Sequence, residues 1–141
     1  MNKELEKISK FLNKHHVLTL ATSSDDELSA CNLFYVFCKD ERSFVVASSD
    51  DTQHIQNILQ RAQVAGTVVL ETKRVGKIQG VQFRGVFSEL IDEGLKRKYF
   101  KAFPYAIAMN PKLWQIKINY FKMTDNALGF AKKIIWQEVF L

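Results

Sequence analysis

The chain has no apolar run long enough to cross a bilayer, a task that takes about 20 residues as a helix. Its N-terminus, "MNKELEKISKFLNK", mixes charge throughout and lacks the apolar centre of a signal peptide. The expectation is a cytoplasmic protein with no membrane role. Cysteine is scarce too: Cys31 and Cys38 lie seven apart in one strand-like stretch. They therefore point to opposite faces and can neither pair nor share a metal, and both read as buried thiols. There is no G-x-G-x-x-G, G-x-S-x-G, H-E-x-x-H or C-x-x-C. Gly80 and Gly85 are not followed by the Lys-Ser/Thr of a P-loop. Of three histidines, His15 and His16 are neighbours at a helix end, where capping or packing accounts for them. These absences exclude a zinc enzyme and a hydrolase built from side chains alone. An enzyme of this sequence needs a bound cofactor to carry its chemistry.

What is present is an ordinary globular composition, 47% apolar and 25% charged over 141 residues, enough for one domain over 1–141 with a proper core. The net charge of +5 leaves acidic partners open. The basic residues, however, come as separate small groups, Lys73-Arg74, Lys96-Arg97-Lys98 and Lys132-Lys133. Without a long basic tail or a nucleic-acid signature, nucleic acid is not the expected partner.

Leu5, Ile8, Phe11 and Leu12 repeat at helical spacing within residues 2–14. "HHVLTLAT", "LSACNLFYVFC" and "SFVVAS" then read as a three-stranded meander. A helix with Ile55, Ile58 and Leu59 on one side follows, and then "VAGTVVLET" and "GKIQGVQFRGVFSEL" as strands. Gly80 and Gly85 mark a bulge or bend in the second of these. "DEGLKRKYFKAF" is a short helix ended by Pro104. "PKLWQIKINYFKMT" alternates, with Trp114, Ile116, Ile118 and Tyr120 on one face, and "ALGFAKKIIWQEV" is a last strand. The sum is a mainly β fold: a small barrel of six to seven mostly antiparallel strands with about three connecting helices.

One stretch carries the functional question. "ASSDDTQHIQNI", Ala47 to Ile58, runs from a strand into a helix and crowds hydroxyls, carboxylates and a histidine into one turn. Asp50 with Gln53 fits a capping box, and Ser49 or Asp51 would cap nearly as well. The same helix start offers unpaired N–H groups to an anion, with Thr52 and His54 as further donors and Asn57 one turn on. The two aspartates oppose this. Two unit charges 4 Å apart interact by about 4 kcal/mol at an effective dielectric of 20, whereas a helix terminus returns about 0.3–1 kcal/mol. A phosphate here requires Asp50 and Asp51 to turn away and a cation to come from elsewhere.

The layout resembles the FMN-binding split barrel of pyridoxamine 5'-phosphate oxidase and its relatives. In that family the third strand runs into a Ser/Thr-x-Lys-x-x-Asn helix start that holds the flavin phosphate. Thr52, His54 and Asn57 keep its spacing, with histidine in the lysine position. "AGTV", "GVQFRG" and "TDNALGFAKKIIW" look like the YhbP-like bacterial branch of that superfamily. The resemblance spans nearly the whole chain in order. It implies FMN as the cofactor, bound at the interface of a homodimer, with the ring along the second and third strands. In this chain that points to Asn32, Phe34 and Tyr35, then Ser48 and Ser49. Phe34 and Tyr35 face opposite ways, so one of them reaches the ring. Gln82 and Arg84 share a face of the long strand, and Arg84 is the candidate to supply the missing positive charge. Lys132 and Lys133 follow, and Trp136 packs at the interface. The second strand lacks the arginine of true pyridoxamine phosphate oxidases and no Arg-x-His segment occurs, so vitamin B6 oxidation is not implied.

The leading expectation is therefore an FMN-dependent oxidoreductase that moves hydride or electrons between a reduced donor and a small acceptor. The alternatives are a non-catalytic or sensor module of the same fold holding another ligand, such as haem or a deazaflavin, and a basic protein that binds partners through its surface.

Overall fold

The computed structural model describes residues 2–126, 129 and 132–138. Alternation of apolar and polar residues builds the sheet. In β1 (Val17–Ser23) Leu18, Leu20 and Thr22 are buried while Val17, Thr19 and Ala21 face out. β2 (Leu28–Cys38) and β3 (Ser43–Ala47) complete a meander, and β4 (Gln63–Val69), β5 (Gln79–Glu89) and β6 (Leu113–Asp125) continue it. All pairings are antiparallel, in the order β3-β2-β1-β4-β5-β6-β7 with β7 at Lys133–Gln137, and β3 also pairs with β6. That last pairing closes β1 to β6 into a six-stranded barrel. β7 is the additional strand.

β6 explains the split in the barrel. One edge pairs with β5 along nearly its whole length; on the other edge residues 113–117 pair with β3 and residues 120–124 with β7. The register shifts between Arg84 and Gly85, because Arg84 faces Tyr120 while Gly85 faces Ile118, which leaves Asn119 as the extra residue. The bulge breaks the expected face of β6. Trp114, Ile116 and Ile118 are buried, and beyond Asn119 it is Phe121 and Met123 that turn inward while Tyr120 turns out. The final strand is shorter than expected, beginning at Lys133; residues 127, 128, 130, 131 and 139 of that stretch lie outside the described residues.

Rings fill the barrel. Phe44 sits between Phe37, Phe83, Phe121 and Tyr35 at centroid separations of 4.8–6.2 Å. α1 (Lys3–Leu12) closes one flank through Ile8, Phe11 and Leu12, and Tyr35 Oη donates to the Leu12 carbonyl at 2.7 Å. α2 (Gln53–Gln60) buries Ile55 and Ile58, with Leu59 exposed rather than packed. α3 (Glu93–Ala102) lies outside the barrel and makes a smaller core of Leu95 and Tyr99 with Cys38, Val45, Leu90 and Leu113. Cys31 packs against the main core instead, half-buried rather than buried as expected, so the two free thiols are on opposite faces, and burial raises the pKa of both. Pro104 does more than stop α3: it starts a fourth helix, α4 (Tyr105–Met109). A fixed φ and a missing N–H suit the first turn of a helix.

Candidate functional site

The chain leaves β3 at Ala47 and reaches α2 through Ser48–Thr52, and this short connection is stitched to the start of β6. Ser48 N–H donates to the Lys112 carbonyl (3.1 Å) and Trp114 Nε1–H to the Ser48 carbonyl (3.0 Å). The cap of α2 is Thr52, whose Oγ1 accepts from the Ile55 N–H, and not Asp50, Ser49 or Asp51. The Asp50 carboxylate is paired with Lys112, whose Nζ lies 3.1 Å from it. Lys112 also lies 3.7 Å from Glu89 and 4.7 Å from the Trp114 ring centroid. Its hydrogen bond to Asp50 raises its pKa, so it stays charged.

His54 is buried, and its Nε2 meets Ser48 Oγ at 2.5 Å and Thr52 Oγ1 at 3.2 Å. Thr52 donates its single proton to the Ser49 carbonyl (2.9 Å), so it can only accept from the imidazole. Burial lowers the His54 pKa, which makes the ring neutral near pH 7. It is a positioned donor, not a substitute for a lysine. Asn57 is fully buried: it donates to Thr22 Oγ1 (3.0 Å) and accepts from Gln53 (2.8 Å). It fixes α2 against β1 and does not face solvent.

The other candidates divide by face. Asn32 is exposed on β2 and accepts from Thr19 Oγ1 at 2.8 Å. Phe34 is 59% exposed and meets Phe103. Tyr35 points into the core, where burial raises its pKa, so Phe34 is the aromatic of the pair that a ligand on the outer face can touch. Ser49 is exposed beside Ser48. Trp136 is buried against Phe121, with the Arg42 guanidinium 5.8 Å away, and belongs to the core rather than to any exposed interface. Lys132 and Lys133 sit by β7 beside α1, on a different part of the molecule.

Gln82 and Arg84 project from the outer face of β5, and the Arg84 guanidinium lies 4.0 Å over the Tyr120 ring. Arg84 borders two adjoining depressions of about 540 and 460 Å³ that also share Ala21 and Ala65, and Gln82 lines the second. Arg84 has no hydrogen bond or ion pair to the α2 start among the described residues; it stacks on Tyr120, eight residues along β6 from Lys112 (about 27 Å of strand path at ~3.4 Å per residue), and lines one depression with Thr22 and Arg61. The cation beside the connection is Lys112. Sequence reasoning missed it because only the β3–β6 pairing brings residue 112 to residue 48; no local motif marks it.

Taken together, the geometry gives a split barrel with one polar helix start backed by a lysine and an open outer face. The family profile described as pyridoxamine 5'-phosphate oxidase matches residues 5–123, and the chain belongs to that family. Within it, the chain is 39% identical over 134 residues to the UPF0306 protein of Photorhabdus laumondii, covering 93% of this chain and 94% of that protein. It is 40% identical over 137 residues to a UPF0306 protein of Klebsiella pneumoniae, covering 95% and 93%. Among solved structures it overlays on a haem-binding protein from Mycobacterium smegmatis with a TM-score of 0.78 at 15% identity, covering 97% of this chain and 59% of that one. A FAD-binding protein from Mesorhizobium loti gives 0.69 at 16%, covering 87% and 94%. At such identities the likeness is one of fold. Among the described residues no helix is long and apolar enough to cross a membrane, and no cluster of metal-ligating side chains occurs.

Proposed function

We propose that this chain binds FMN as a homodimer and works as a flavin-dependent oxidoreductase. The observation that carries the proposal is the start of α2. There Ser48 Oγ and Thr52 Oγ1 converge on a buried imidazole, and Lys112 neutralises the carboxylate that would otherwise repel a phosphate. The first-turn N–H groups other than that of Ile55, which Thr52 caps, add donors that no helical carbonyl can satisfy. This donor set fits a phosphate monoester: the Ser48 hydroxyl and the free first-turn amides grip it, His54 orients Ser48, Thr52 serves as the cap with its own proton on the Ser49 carbonyl, and Lys112 balances the charge. Asn32 and Phe34 flank the end of β3, where the resemblance puts the ring.

A bound flavin supplies hydride or electron transfer between a reduced donor and a small acceptor. The chain's own part is grip and orientation. Asn57 holds α2 in place, Phe34 offers a face to the ring, and Gln82 and Arg84 approach from the second copy. Second-copy contact is also supported by Leu28, Phe34, Val69, Val17 and Val86, apolar side chains 41–86% exposed on strand faces outside the barrel.

The test is the visible spectrum of freshly purified protein. Flavin bands are expected, and they fall away in the double variant T52A/H54A, with NADH or NADPH consumption identifying the enzyme. Colourless protein that also refuses added FMN, or a Soret band from bound haem instead, overturns the assignment.

A further inference from the structure

The fold collects cations that the sequence scatters. Lys3, Lys7, Lys10 and Lys14 follow one another at helical spacing on the exposed side of α1 and the turn after it. α1 packs against β7, and the seam between them holds two depressions in a row, of about 290 and 320 Å³, that share Lys7 and Ile134. Lys10 and Lys14 border one of these, Lys3 and Lys133 the other. Lys132 is brought to the same end, because its carbonyl accepts from the Asp125 N–H, and Asp125 lines the first depression. The β4–β5 connection arrives there too: Asn126 N–H donates to the Ile78 carbonyl and its side chain to the Val75 carbonyl. Lys73, Arg74 and Lys77 of that connection are exposed.

The local density of unpaired cations marks this seam, since Arg97 and Lys101 on α3 and Lys117 and Lys122 on β6 are also without an ion pair among the described residues. Lys39, Arg42, Arg61, Lys96, Lys98 and Lys112 each have a carboxylate partner. Among the described residues none of Lys3, Lys7, Lys10, Lys14, Lys132 and Lys133 has one, and only Glu4 and Asp125 intrude among the lining side chains. The floor is apolar, from Phe11, Met123 and Ile134.

We infer that the α1–β7 seam is a binding surface for the phosphodiester backbone of a nucleic acid. Shape selects a chain over a plane: the seam is concave and linear. From Lys3 to Lys14 it runs about 16 Å at ~1.5 Å per residue, the rise of four to five nucleotides at ~3.4 Å each. A membrane surface fits worse, since the apolar residues of α1 are turned into the core and leave nothing to insert. Among the described residues no exposed aromatic ring lines the seam to stack on a base, so the contact reads backbone and not sequence. Acting on its own face, the seam operates whether or not the chain holds flavin.

Fluorescence anisotropy with labelled oligo-dT and a duplex of matched length tests this. Binding is expected with a log–log salt slope of about −3 to −4 for four to six phosphate contacts on a single strand, so affinity falls ~10²-fold between 50 and 200 mM salt. The duplex arm tells which form of the backbone the seam prefers, and binding to either supports the inference. The double variants K7E/K10E and K132E/K133E each weaken binding at least about tenfold with unchanged circular dichroism. R97E/K101E, an equal charge change on α3, leaves it within about twofold. Equal losses in all three variants, binding only to phosphatidylserine vesicles, or no binding to either oligonucleotide overturns the inference.

Discussion

His54 shows how one side chain can satisfy a motif's spacing and change its physics. A lysine at that position would arrive charged; the buried imidazole arrives neutral, its Nε2 shared by two hydroxyls. A lowered pKa in the folded chain has a definite sign. The unfolded histidine takes up a proton at about its ordinary 6.5 while the folded one does not, so the contribution of His54 to stability is full above that pH and is lost as pH falls through it. His15 is shifted the same way by burial and by its neighbour His16, so the comparison needs a variant. In urea unfolding, the stability gap between the wild type and H54Q is expected to narrow on going from about pH 7.5 to about pH 5.5. A gap that stays constant would mean the imidazole is not held neutral. The spacing of Thr52, His54 and Asn57 was legible in the sequence; the choice of cap was not. Asp50, Asp51 and Thr52 all suit an N-cap chemically, and the Asp50 carboxylate is instead engaged by Lys112, sixty-two residues away, while Thr52 caps the helix.

At the scale of the element, the strands were legible because burial imposes a period of two, and β1 and β5 keep it almost without error. The failures lie where backbone meets backbone. Glycines announced a bend in β5, but the extra residue sits on the opposing strand, as Asn119, and so turns Tyr120 outward to Arg84. A side chain at residue 85 would bring its Cβ within 2.4 Å of the Lys117 carbonyl oxygen, and one at residue 66 within 2.3 Å of both the Thr19 carbonyl oxygen and the Phe83 ring. Gly80 has no neighbour nearer than 3.6 Å. G66A and G85A are therefore expected to lower stability by about 1–3 kcal/mol each, with G80A within about 1 kcal/mol of wild type. Chemical denaturation at unchanged m-value checks this. Equal midpoints for all three variants would mean that the close approaches at residues 66 and 85 relax without cost. The α3–α4 region follows the same logic, since Pro104 reads locally as a stop and acts as a start once the chain turns at Phe103.

At the scale of the whole molecule, each flavin site as proposed draws groups from two copies of the barrel. The hydroxyls, His54 and Lys112 lie at one end of β6, whereas Arg84 and Tyr120 lie about 27 Å along it at ~3.4 Å per residue. Closure of β3 onto β6 fixes that separation, because the strands that carry the two groups are locked in register. On that proposal Arg84 contributes to the flavin site of the second copy. Two-fold symmetry then makes a sharp prediction. R84A and T52A/H54A, purified separately, each lose flavin; light scattering finds each still dimeric. Unfolded together and refolded as a mixture, half the dimers carry one chain of each kind, and one of their two sites has every group intact. The mixture is expected to recover about a quarter of the wild-type flavin content. Recovery of none would put Arg84 outside the site, and monomeric wild-type protein would remove the second copy altogether. In that case the outer face of β5, with its stacked Arg84 and Tyr120, would need a different occupant, and the phosphate grip at α2 would have to work with Lys112 as its only nearby cation.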